Sequence, residues 1–374
     1  MTAKTEPAAR AWMKIDLEAL RHNFKTLCST CPGLVPRAVV KADAYGHGAV
    51  AVSQALLTAG ADRLAVAIVS EAIELRRAGI VVPVQVLGYT PPEQALVVAK
   101  YDIAQTVYSL DMVRALAAAG AQTGKQVKLH IKIDTGMGRI GILPEEAGEF
   151  AAAVANMAGV EIEGVFSHFA TADEADKSYA EFQYAGFEEA LQRIKAKGIH
   201  VPLRHMANSA ATLELPQTHL DMVRPGIILY GLWPSPEVNK NIRLKPAMCL
   251  KAQVAHIKTV AAGAGISYGR TYIAETERKI ATLPIGYADG WRRELSGRTE
   301  VLINGGYAPL VGRICMDQCM ADVTGIAEVK NGDTAILFGV PELTTDKVAE
   351  VLGTITYELV CMVGERVPRI YINR

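Results

Sequence analysis

The chain has 374 residues, half of them hydrophobic, and its 39 lysines and arginines balance 39 aspartates and glutamates. This length exceeds one ordinary core and predicts two domains, and the balanced charge excludes a global field that would attract nucleic acid or an anionic membrane. Its apolar runs are too short to span a membrane, and its N-terminal residues lack the apolar stretch of a secretory signal. We therefore expect a cytoplasmic protein with no nucleic-acid or membrane partner.

Up to about residue 230, short β-branched runs alternate with helical patterns, which predicts parallel strands joined by crossover helices. The predicted strands are 37–41, 63–69, 82–87, 103–107, 127–134, 160–167, 203–207 and 221–223. The predicted helices are 17–28, 49–59, 71–78, 92–100, 110–119, 144–157, 179–197 and a short 210–215. Eight repeats in about 200 residues favour an α/β fold with a closed (β/α)8 barrel of the TIM type, and an open doubly wound sheet is the alternative.

After residue 246 the pattern changes to strands that follow one another across glycine turns, which predicts a mostly antiparallel β domain. The predicted strands are 250–260, 279–284, 299–303, 308–314, 320–323, 334–338 and 369–372, with one helix at 346–360. The polar, proline-containing segment 234–246 is the predicted linker. We assign 14–240 to the barrel and 241–374 to the β domain, with residues 1–13 as a candidate to pack on the second domain.

Lys41 stands at the C-terminal end of the first predicted barrel strand, in the stretch PRAVVKADAYGHG. A lysine that ends a buried strand is costly unless its amine has a role, because desolvation disfavours the ammonium. Such amines serve as Schiff-base nucleophiles and proton carriers. The alternative is a surface lysine that happens to follow a strand.

Polar side chains and glycines recur at the strand ends where barrels of this kind carry their active sites. They are Lys41, Lys132, Arg139, Ser167, His168, Asn208, Ser209, Arg224 and Gly226, and Ile227 follows Gly226 in the same turn. Taken singly, Asn208–Ser209 is an ordinary helix cap and the Arg224 segment an ordinary turn. Together, their hydroxyl and backbone N–H groups can hold a phosphate. A lysine opposite a phosphate site predicts pyridoxal phosphate, bound as an internal aldimine.

A dinucleotide-like pattern offers a different function. Gly136, Gly138 and Gly141 form G-x-G-x-x-G after a strand, with Glu161 about 20 residues further on. A nicotinamide-dependent dehydrogenase is therefore the alternative of another class, although the pattern lies in the fifth unit and leaves Lys41 unexplained. The six cysteines lack the paired spacing of a zinc site or a thioredoxin-like context, so we expect no metal.

Nine ordered blocks cover almost the whole chain: VVKADAYGHG, IKIDTGMGRIG, FSHFATAD, MANSAA, VRPGIILYG, ISYGRTY, PIGYADGW, RICMDQCM and TITYEL. Together they resemble the bacterial alanine racemase family, which consists of pyridoxal-phosphate enzymes with a (β/α)8 barrel and a C-terminal β domain. The resemblance implies a homodimer with shared active sites. It also implies interconversion of L-alanine and D-alanine, which supplies D-alanine for cell-wall peptidoglycan.

The resemblance also implies residue roles. Lys41 is the Schiff-base lysine and one catalytic base, and Tyr268 from the partner subunit is the opposing base. Arg139 is expected to bind the ring's phenolic oxygen and the substrate carboxylate, and Met316 from the partner to bind that carboxylate. Lys132 is a candidate for carbamylation. The expected cofactor-binding residues are Lys41, Tyr45, Arg139, His168, Asn208, Ser209, Arg224, Gly226, Ile227 and Tyr357.

Racemisation needs proton removal on one face of the α-carbon and delivery on the other, so two opposed bases are expected. A serine or broad-spectrum amino-acid racemase is the nearest alternative within this cofactor class. A fold-related decarboxylase fits ISYGRTY and CMDQCM less well. A binding module that has lost catalysis is disfavoured because both Lys41 and Tyr268 are present.

Overall fold

The computed structural model describes residues 9–31, 33 and 36–373. The chain divides into two compact units, one formed by Ala19–Lys245 and the other by the residues up to Glu18 together with those from Pro246 onward. The sequence pattern predicts these boundaries at residues 14 and 240. The difference at the N-terminus arises from strand β1 (Ala11–Asp16), which pairs with two strands that come late in the chain.

The first unit contains a seven-stranded parallel sheet whose strands follow chain order. These strands are β2 (Ala38–Val39), β3 (Leu64–Val66), β4 (Val84–Val86), β5 (Ala104–Val107), β6 (Val127–Lys132), β7 (Val160–Phe166) and β8 (Leu203–His205). Each neighbouring pair is parallel. The carboxyl ends of all seven strands therefore lie at one edge of the sheet, where an active site is expected.

The eighth predicted strand, 221–223, is not a regular strand, yet its backbone closes the sheet. On one side the N–H groups of Asp221 and Arg224 donate to carbonyls of Arg204 and Ala207 (3.1 and 2.9 Å). On the other side the Arg37 N–H donates to the Val223 carbonyl (2.9 Å). The predicted fold class, a (β/α)8-type barrel followed by a mostly antiparallel β domain, is confirmed.

Helices connect the barrel strands, as the alternating pattern predicts. They are α1 (Leu17–Thr30), α2 (Lys41–Gly46), α3 (Ala49–Thr58), α4 (Val69–Arg77), α5 (Ala95–Lys100), α6 (Leu110–Thr123), α7 (Ala147–Ala155), α8 (Ser178–Ala196) and α9 (Ser209–Glu214). Helix α6 shows why they form: Ser109 caps its first turn, Gly124 ends it at φ 67°, and Met112 and Leu116 bury the same face. No helix in the described ranges is long and apolar enough to cross a membrane.

The second unit is built from three sheets. Its strands are β1, β9 (Met248–Gln253), β10 (His256–Val260), β11 (Gly265–Ile266), β12 (Tyr272–Ile273), β13 (Arg278–Leu283), β14 (Glu300–Ile303), β15 (Gly306–Pro309), β16 (Cys319–Asp322), β17 (Thr334–Phe338) and β18 (Arg369–Ile372). The largest sheet has the order β15-β14-β17-β9-β1-β18, and β10-β13-β16 and β11-β12 form the others. Every pairing is antiparallel except that of β1 with β18.

Two predicted elements of this unit are wrong in detail. The predicted helix 346–360 is two helices, α10 (Thr345–Leu352) and α11 (Thr356–Cys361), because Gly353 takes φ 70° between them and ends α10. The predicted strand 250–260 is likewise two strands, β9 and β10, which belong to different sheets. In both cases a short break, before 356 in the helical segment and at residues 254–255 in the strand segment, interrupts an apolar pattern that is continuous in the sequence.

Asp289 is a fully buried carboxylate in the second unit. Arg10 donates to both of its oxygens (2.6 and 3.2 Å), and Arg366 lies 3.2 Å away. The Gly286 N–H also donates to it (3.0 Å). Such a charge is tolerated in the interior because it is paired and hydrogen-bonded on every side.

We expect Asp289→Ala to lower the free energy of unfolding by about 2–3 kcal/mol, because it leaves the buried Gly286 N–H without its acceptor and removes the carboxylate that Arg10 and Arg366 share. The value lies at the low end of the range for buried pairs because both arginines are partly exposed. Urea unfolding followed by circular dichroism measures it. Glu294→Ala, which removes an exposed pair with Arg292, should stay within about 1 kcal/mol, and equal losses in the two variants would contradict the assignment.

Candidate active site

Lys41 directly follows the first barrel strand and begins an unusual turn. Ala42, Asp43, Ala44 and Tyr45 all have φ between 51° and 54°, so α2 is a single turn of left-handed helix. Such a conformation costs about 1–2 kcal/mol for each residue with a side chain. Conformations of this kind persist only where the surroundings hold them, and they concentrate at functional sites.

Two carboxylates hold this turn. Asp43 accepts the N–H of Ala49 (2.7 Å), at the start of α3. Glu71, on α4, accepts the N–H of Ala42 (2.6 Å) and that of Ala67 (2.7 Å). Glu71 thus connects the residue after Lys41 to the end of β3 and fixes the direction in which the chain leaves Lys41.

Tyr45, at the end of the turn, is held by aromatic packing. The centre of its ring lies 4.8 Å from the centre of the Tyr230 ring. The centre of the buried His47 ring lies 4.6 Å from the centre of the Tyr230 ring as well. The Tyr230 hydroxyl donates to the Val39 carbonyl (2.9 Å), which ties this group to β2. The Tyr45 hydroxyl is thereby brought against Gly226, where a Cβ would come within 2.3 Å of it.

Gly226 joins Tyr45 to Ser209. The Gly226 N–H donates to the Ser209 hydroxyl (2.9 Å), and Ile227 begins a short 3-10 turn. Because the Ser209 oxygen accepts this bond, its own O–H remains a donor. Two hydroxyls and a glycine backbone therefore meet at the place where the sequence predicts a phosphate.

The neighbouring Asn208 has a structural role. Its side-chain oxygen accepts the Ala211 N–H (3.0 Å), so it caps helix α9. This is the ordinary helix-cap alternative that the sequence analysis weighed.

Arg224 is buried and held by several acceptors. It donates to His205 Nδ1 (2.6 Å) and to the carbonyls of Ser167 (2.7 Å) and Met206 (3.1 Å), and His168 Nδ1 lies 3.4 Å away. Burial, followed by the charge of Arg37, lowers the pKa of Arg224 to about 9, so it is still protonated at neutral pH. The predicted proximity of His168 and Arg224 is observed.

The two histidines beside Arg224 are neutral. Burial, followed by the charge of Arg224, holds the pKa of His168 and of His205 well below the usual value. A neutral imidazole keeps one nitrogen as an acceptor, which a buried guanidinium needs. Burial and the charge of Arg224 therefore act together to keep both imidazoles neutral.

Lys132 lies at the end of β6 and is almost fully buried. Its Nζ donates to the Ile133 carbonyl (2.6 Å) and lies 5.5 Å from the centre of the Phe166 ring. Burial, followed by the charge of Arg224, lowers the pKa of Lys132 to about 7, and the charge of Arg139 acts in the same direction. The amine is therefore substantially uncharged at neutral pH.

The glycine loop after β6 does not resemble a dinucleotide site. The Asp134 carboxylate accepts the N–H groups of Gly136 (3.0 Å) and Gly138 (3.1 Å). These are the backbone donors that a pyrophosphate would require. The loop instead forms a turn, followed by the exposed Arg139.

The remaining predicted site residues belong to the second unit. Tyr268 is 70% exposed and Met316 is 53% exposed. The Ser267 hydroxyl, next to Tyr268, donates to the Arg313 carbonyl (2.6 Å), which connects the two loops that carry these side chains. Tyr357 is half-buried in α11.

Four residues that support the site were not predicted from the sequence: Glu71, His130, Glu163 and His205. His130 and Lys132 are two residues apart on β6, so their side chains lie on the same face of the strand. This spacing was a usable signal in the sequence that His130 belongs near the site. The role of the other residues depends on which strands become neighbours, and local sequence patterns do not give that information.

Two family models match the chain: the alanine racemase N-terminal domain over residues 15–234 and the alanine racemase C-terminal domain over residues 247–371. An alanine racemase of Desulfovibrio desulfuricans is 51% identical over 363 residues, which is 97% of this chain and 98% of the relative.

Solved structures agree. The alanine racemase of Clostridium difficile 630 has a TM-score of 0.96 at 42% identity and covers 98% of this chain and 97% of its own. The alanine racemase of Bacillus anthracis with bound L-Ala-P has a TM-score of 0.92 at 43% identity, covering 99% of this chain and 96% of its own. Fold and site together define an amino-acid racemase, which is an isomerase. The chain belongs to the alanine racemase family of pyridoxal-phosphate-dependent enzymes, as its motifs predict.

We expect Glu71→Gln to lower kcat/KM about 10–100-fold, because Ala42 and Ala67 donate to different carboxylate oxygens. In glutamine one of these oxygens is replaced by an NH2 group that cannot accept, so the turn after Lys41 shifts. Steady-state kinetics measures the loss. Glu74→Gln removes an exposed carboxylate from the same helix and should keep kcat/KM within about twofold of the parent. Retention of full activity by Glu71→Gln would show that the turn needs no such support.

Proposed function

We propose that this protein interconverts L-alanine and D-alanine with pyridoxal phosphate, as a homodimer in the cytoplasm, and so supplies D-alanine for peptidoglycan. The observation that carries the proposal is the arrangement at one edge of the barrel. There a lysine on a strained turn, a buried arginine and a group of two hydroxyls with a glycine backbone all lie at strand ends. Relatives named alanine racemase cover nearly the whole chain and support the substrate.

The residues present fit pyridoxal phosphate. Gly226 has no room for a Cβ beside the Tyr45 hydroxyl, and the Ser209 O–H is a donor there, so this place suits a phosphate. Lys41 would be the covalent attachment point, and Arg224 and His168 would contact the ring. The full proposed set is Lys41, Tyr45, Arg139, His168, Asn208, Ser209, Arg224, Gly226, Ile227 and Tyr357.

The cofactor, when bound, withdraws electrons from the substrate α-carbon and thereby acidifies the α-proton. The protein must then move protons on two opposite faces. We assign the Lys41 Nζ to one face and the Tyr268 hydroxyl to the other, with each atom holding the proton that it removes or delivers. Arg139 and Met316 would bind the substrate carboxylate and thus fix the position of the α-carbon between the two bases.

Arg224 would donate to the ring nitrogen. A guanidinium is a donor only and remains charged, so it opposes protonation of that nitrogen. A weaker electron sink favours return of the proton to the same carbon. A weak electron sink suits racemisation, because side reactions would consume the substrate without returning a proton to its α-carbon.

Lys132 remains a candidate for carbamylation. Its lowered pKa of about 7 leaves a neutral amine whose lone pair can form an N–C bond to carbon dioxide, with release of one proton. The product is a carboxylate at a site where the charges of Arg224 and Arg139 both act on Lys132. Such an anion would be stabilised by these cations and would orient Arg139.

The homodimer proposal is supported by Tyr268 and Met316, two large side chains that are more than half exposed. Large exposed side chains on two connected loops can become part of an apolar interaction surface when a partner covers them. In the proposed dimer they reach the barrel mouth of the partner subunit. A serine or broad-spectrum racemase is the alternative outcome for substrate choice.

The proposed function is tested by racemisation assays with L-alanine, L-serine and L-lysine. We expect L-alanine to react at least about tenfold faster than the others, since an added group in a fitted pocket changes the rate by this order. Equal rates would favour the broad-spectrum alternative. No racemisation together with no visible cofactor absorbance would overturn the proposal.

Lys41→Ala should remove the visible absorbance of the lysine-bound cofactor and lower racemisation by about 10²–10⁴-fold or more, because attachment point and base are lost together. Absorption spectra and polarimetry measure the two effects. Lys100→Ala, an exposed lysine on α5, is the matched control and should leave both unchanged.

Tyr268→Ala should leave the cofactor bound but slow racemisation equally in both directions, because the equilibrium constant between mirror images is one. The two enantiomers should differ instead in hydrogen exchange. In deuterium oxide, D-alanine should still exchange its α-proton through Lys41, whereas L-alanine should exchange about 10²–10⁴-fold more slowly. Tyr307→Ala, at another exposed tyrosine of the same unit, is the control, and full exchange of L-alanine would contradict the two-base scheme.

A further inference from the structure

Three polar side chains, His205, His130 and Glu163, form a hydrogen-bonded file that crosses the barrel interior behind Arg224. Arg224 lies 2.6 Å from His205 Nδ1, His205 Nε2 lies 2.9 Å from His130 Nδ1, and His130 Nε2 lies 2.8 Å from Glu163. Both histidines are fully buried, and Glu163 is 8% exposed. None of the three belongs to the proposed cofactor-binding or catalytic set.

Glu163 is an ionised carboxylate. Burial opposes ionisation, but hydrogen bonds from His130 and Arg63 keep the pKa of Glu163 far below its usual value. Arg63 lies 3.1 Å away and Lys128 3.6 Å away, and the charge of the buried Arg37 also acts on this group of residues. Glu163 can therefore only accept hydrogen bonds.

The carboxylate sets the direction of every bond in the file. His130 is neutral, since burial lowers its pKa to about 4, so it donates from Nε2 to Glu163 and keeps Nδ1 as an acceptor. His205, also neutral, must then donate from Nε2 to that nitrogen, which leaves its own Nδ1 as an acceptor. This is the nitrogen that receives the Arg224 N–H.

Packing keeps the rings in this order. The His205 ring stacks on Phe166, with centroids 4.9 Å apart and planes inclined by 3°. The His130 ring lies over Gly164, where a Cβ would approach Nδ1 within 2.3 Å. The Phe166 ring also lies 5.1 Å from the Arg224 guanidinium carbon, so the same residue packs against Arg224 and against the histidine that accepts from it.

We propose that Glu163 is a positioning residue that acts through His130 and His205 to hold Arg224 as a donor toward the cofactor ring. If the hydrogen bonds of the file ran in the opposite direction, His205 Nδ1 would carry a proton. Two N–H donors, that of His205 and that of Arg224, would then face each other. Arg224 would lose an acceptor and move. The orientation of Arg224 thus depends on the Glu163 carboxylate, which is separated from it by two histidines. The expected effect of Glu163 on the cofactor spectrum and on kcat rests on the proposed function.

Glu163→Gln provides a sharp test, because the glutamine amide cannot satisfy both neighbours. If its oxygen accepts from Arg63, its NH2 group faces His130 Nε2 and favours the reversed file. In the double variant Arg63→Met with Glu163→Gln the oxygen is released to accept from His130 again. Arg63→Met alone keeps the carboxylate and is the control.

The first measurement is ¹⁵N NMR of histidine-labelled holoenzyme, assigned with His130→Asn and His205→Asn, because nitrogen shifts separate N–H from bare imidazole nitrogen. We expect Nε2–H forms of His130 and His205 in the parent and in Arg63→Met, reversal or mixing in Glu163→Gln, and restoration in the double variant. Unchanged forms in Glu163→Gln, or a protonated imidazolium in the parent, would overturn the proposal.

The second measurement is the cofactor spectrum with kcat and KM. Glu163→Gln should shift the visible band and lower kcat about 10–100-fold, and the double variant should regain most of the loss. If Glu163→Gln does not fold, Gly164→Ala displaces the His130 ring without changing a charge and should give the same two changes. If the parent protein shows the expected tautomers but no cofactor band, the proposed function is refuted and the hydrogen-bond order of the file still holds. If the parent has a normal band that neither Glu163→Gln nor Gly164→Ala alters, the role of Glu163 is refuted.

Discussion

Burial of the Arg224 charge is the constraint on which the barrel mouth depends. An unpaired ion in the protein interior is very unfavourable, so this guanidinium needs neutral acceptors around it, and it has two carbonyls and His205. Burial, reinforced by this charge, keeps His168 and His205 unprotonated and lowers the pKa of Lys132. Burial and one buried cation therefore act together on which neighbouring nitrogens can accept, donate or react.

The turn after Lys41 is the second constraint. Four consecutive left-handed residues cost about 4–8 kcal/mol at 1–2 kcal/mol each, which is comparable with the net stability of a typical domain. The turn is maintained because Glu71 accepts an N–H of its backbone, because the Asp43 carboxylate accepts the Ala49 N–H at the start of α3, and because Tyr45 packs on Tyr230. Strain at Lys41 is thus offset by interactions with β3, α3 and the aromatic group, which fix the chain direction at the proposed reactive amine.

Much of this arrangement could be predicted from the sequence, because alternation of strand and helix signals gives the barrel and the barrel gives the edge where Lys41, His168 and Arg224 lie. The left-handed turn could not, since Ala42–Tyr45 contains no glycine to signal positive φ. The interior file of His130, His205 and Glu163 could not either, because it depends on register between strands that are distant in sequence. The helix break at Gly353 carried an ordinary signal that was overlooked.

Strand β1 has a consequence for synthesis of the chain. It lies between β9 and β18 in the largest sheet of the second unit, and β18 pairs with β1. A ribosome releases β1 before either of its partners, and this strand must wait while more than two hundred residues of barrel are made before β9 and β18 exist. A nascent strand with unpaired edges is prone to association with other chains. The second unit can complete its sheet only after β18 has emerged, so strands from both sides of the barrel sequence pair in the same late folding step.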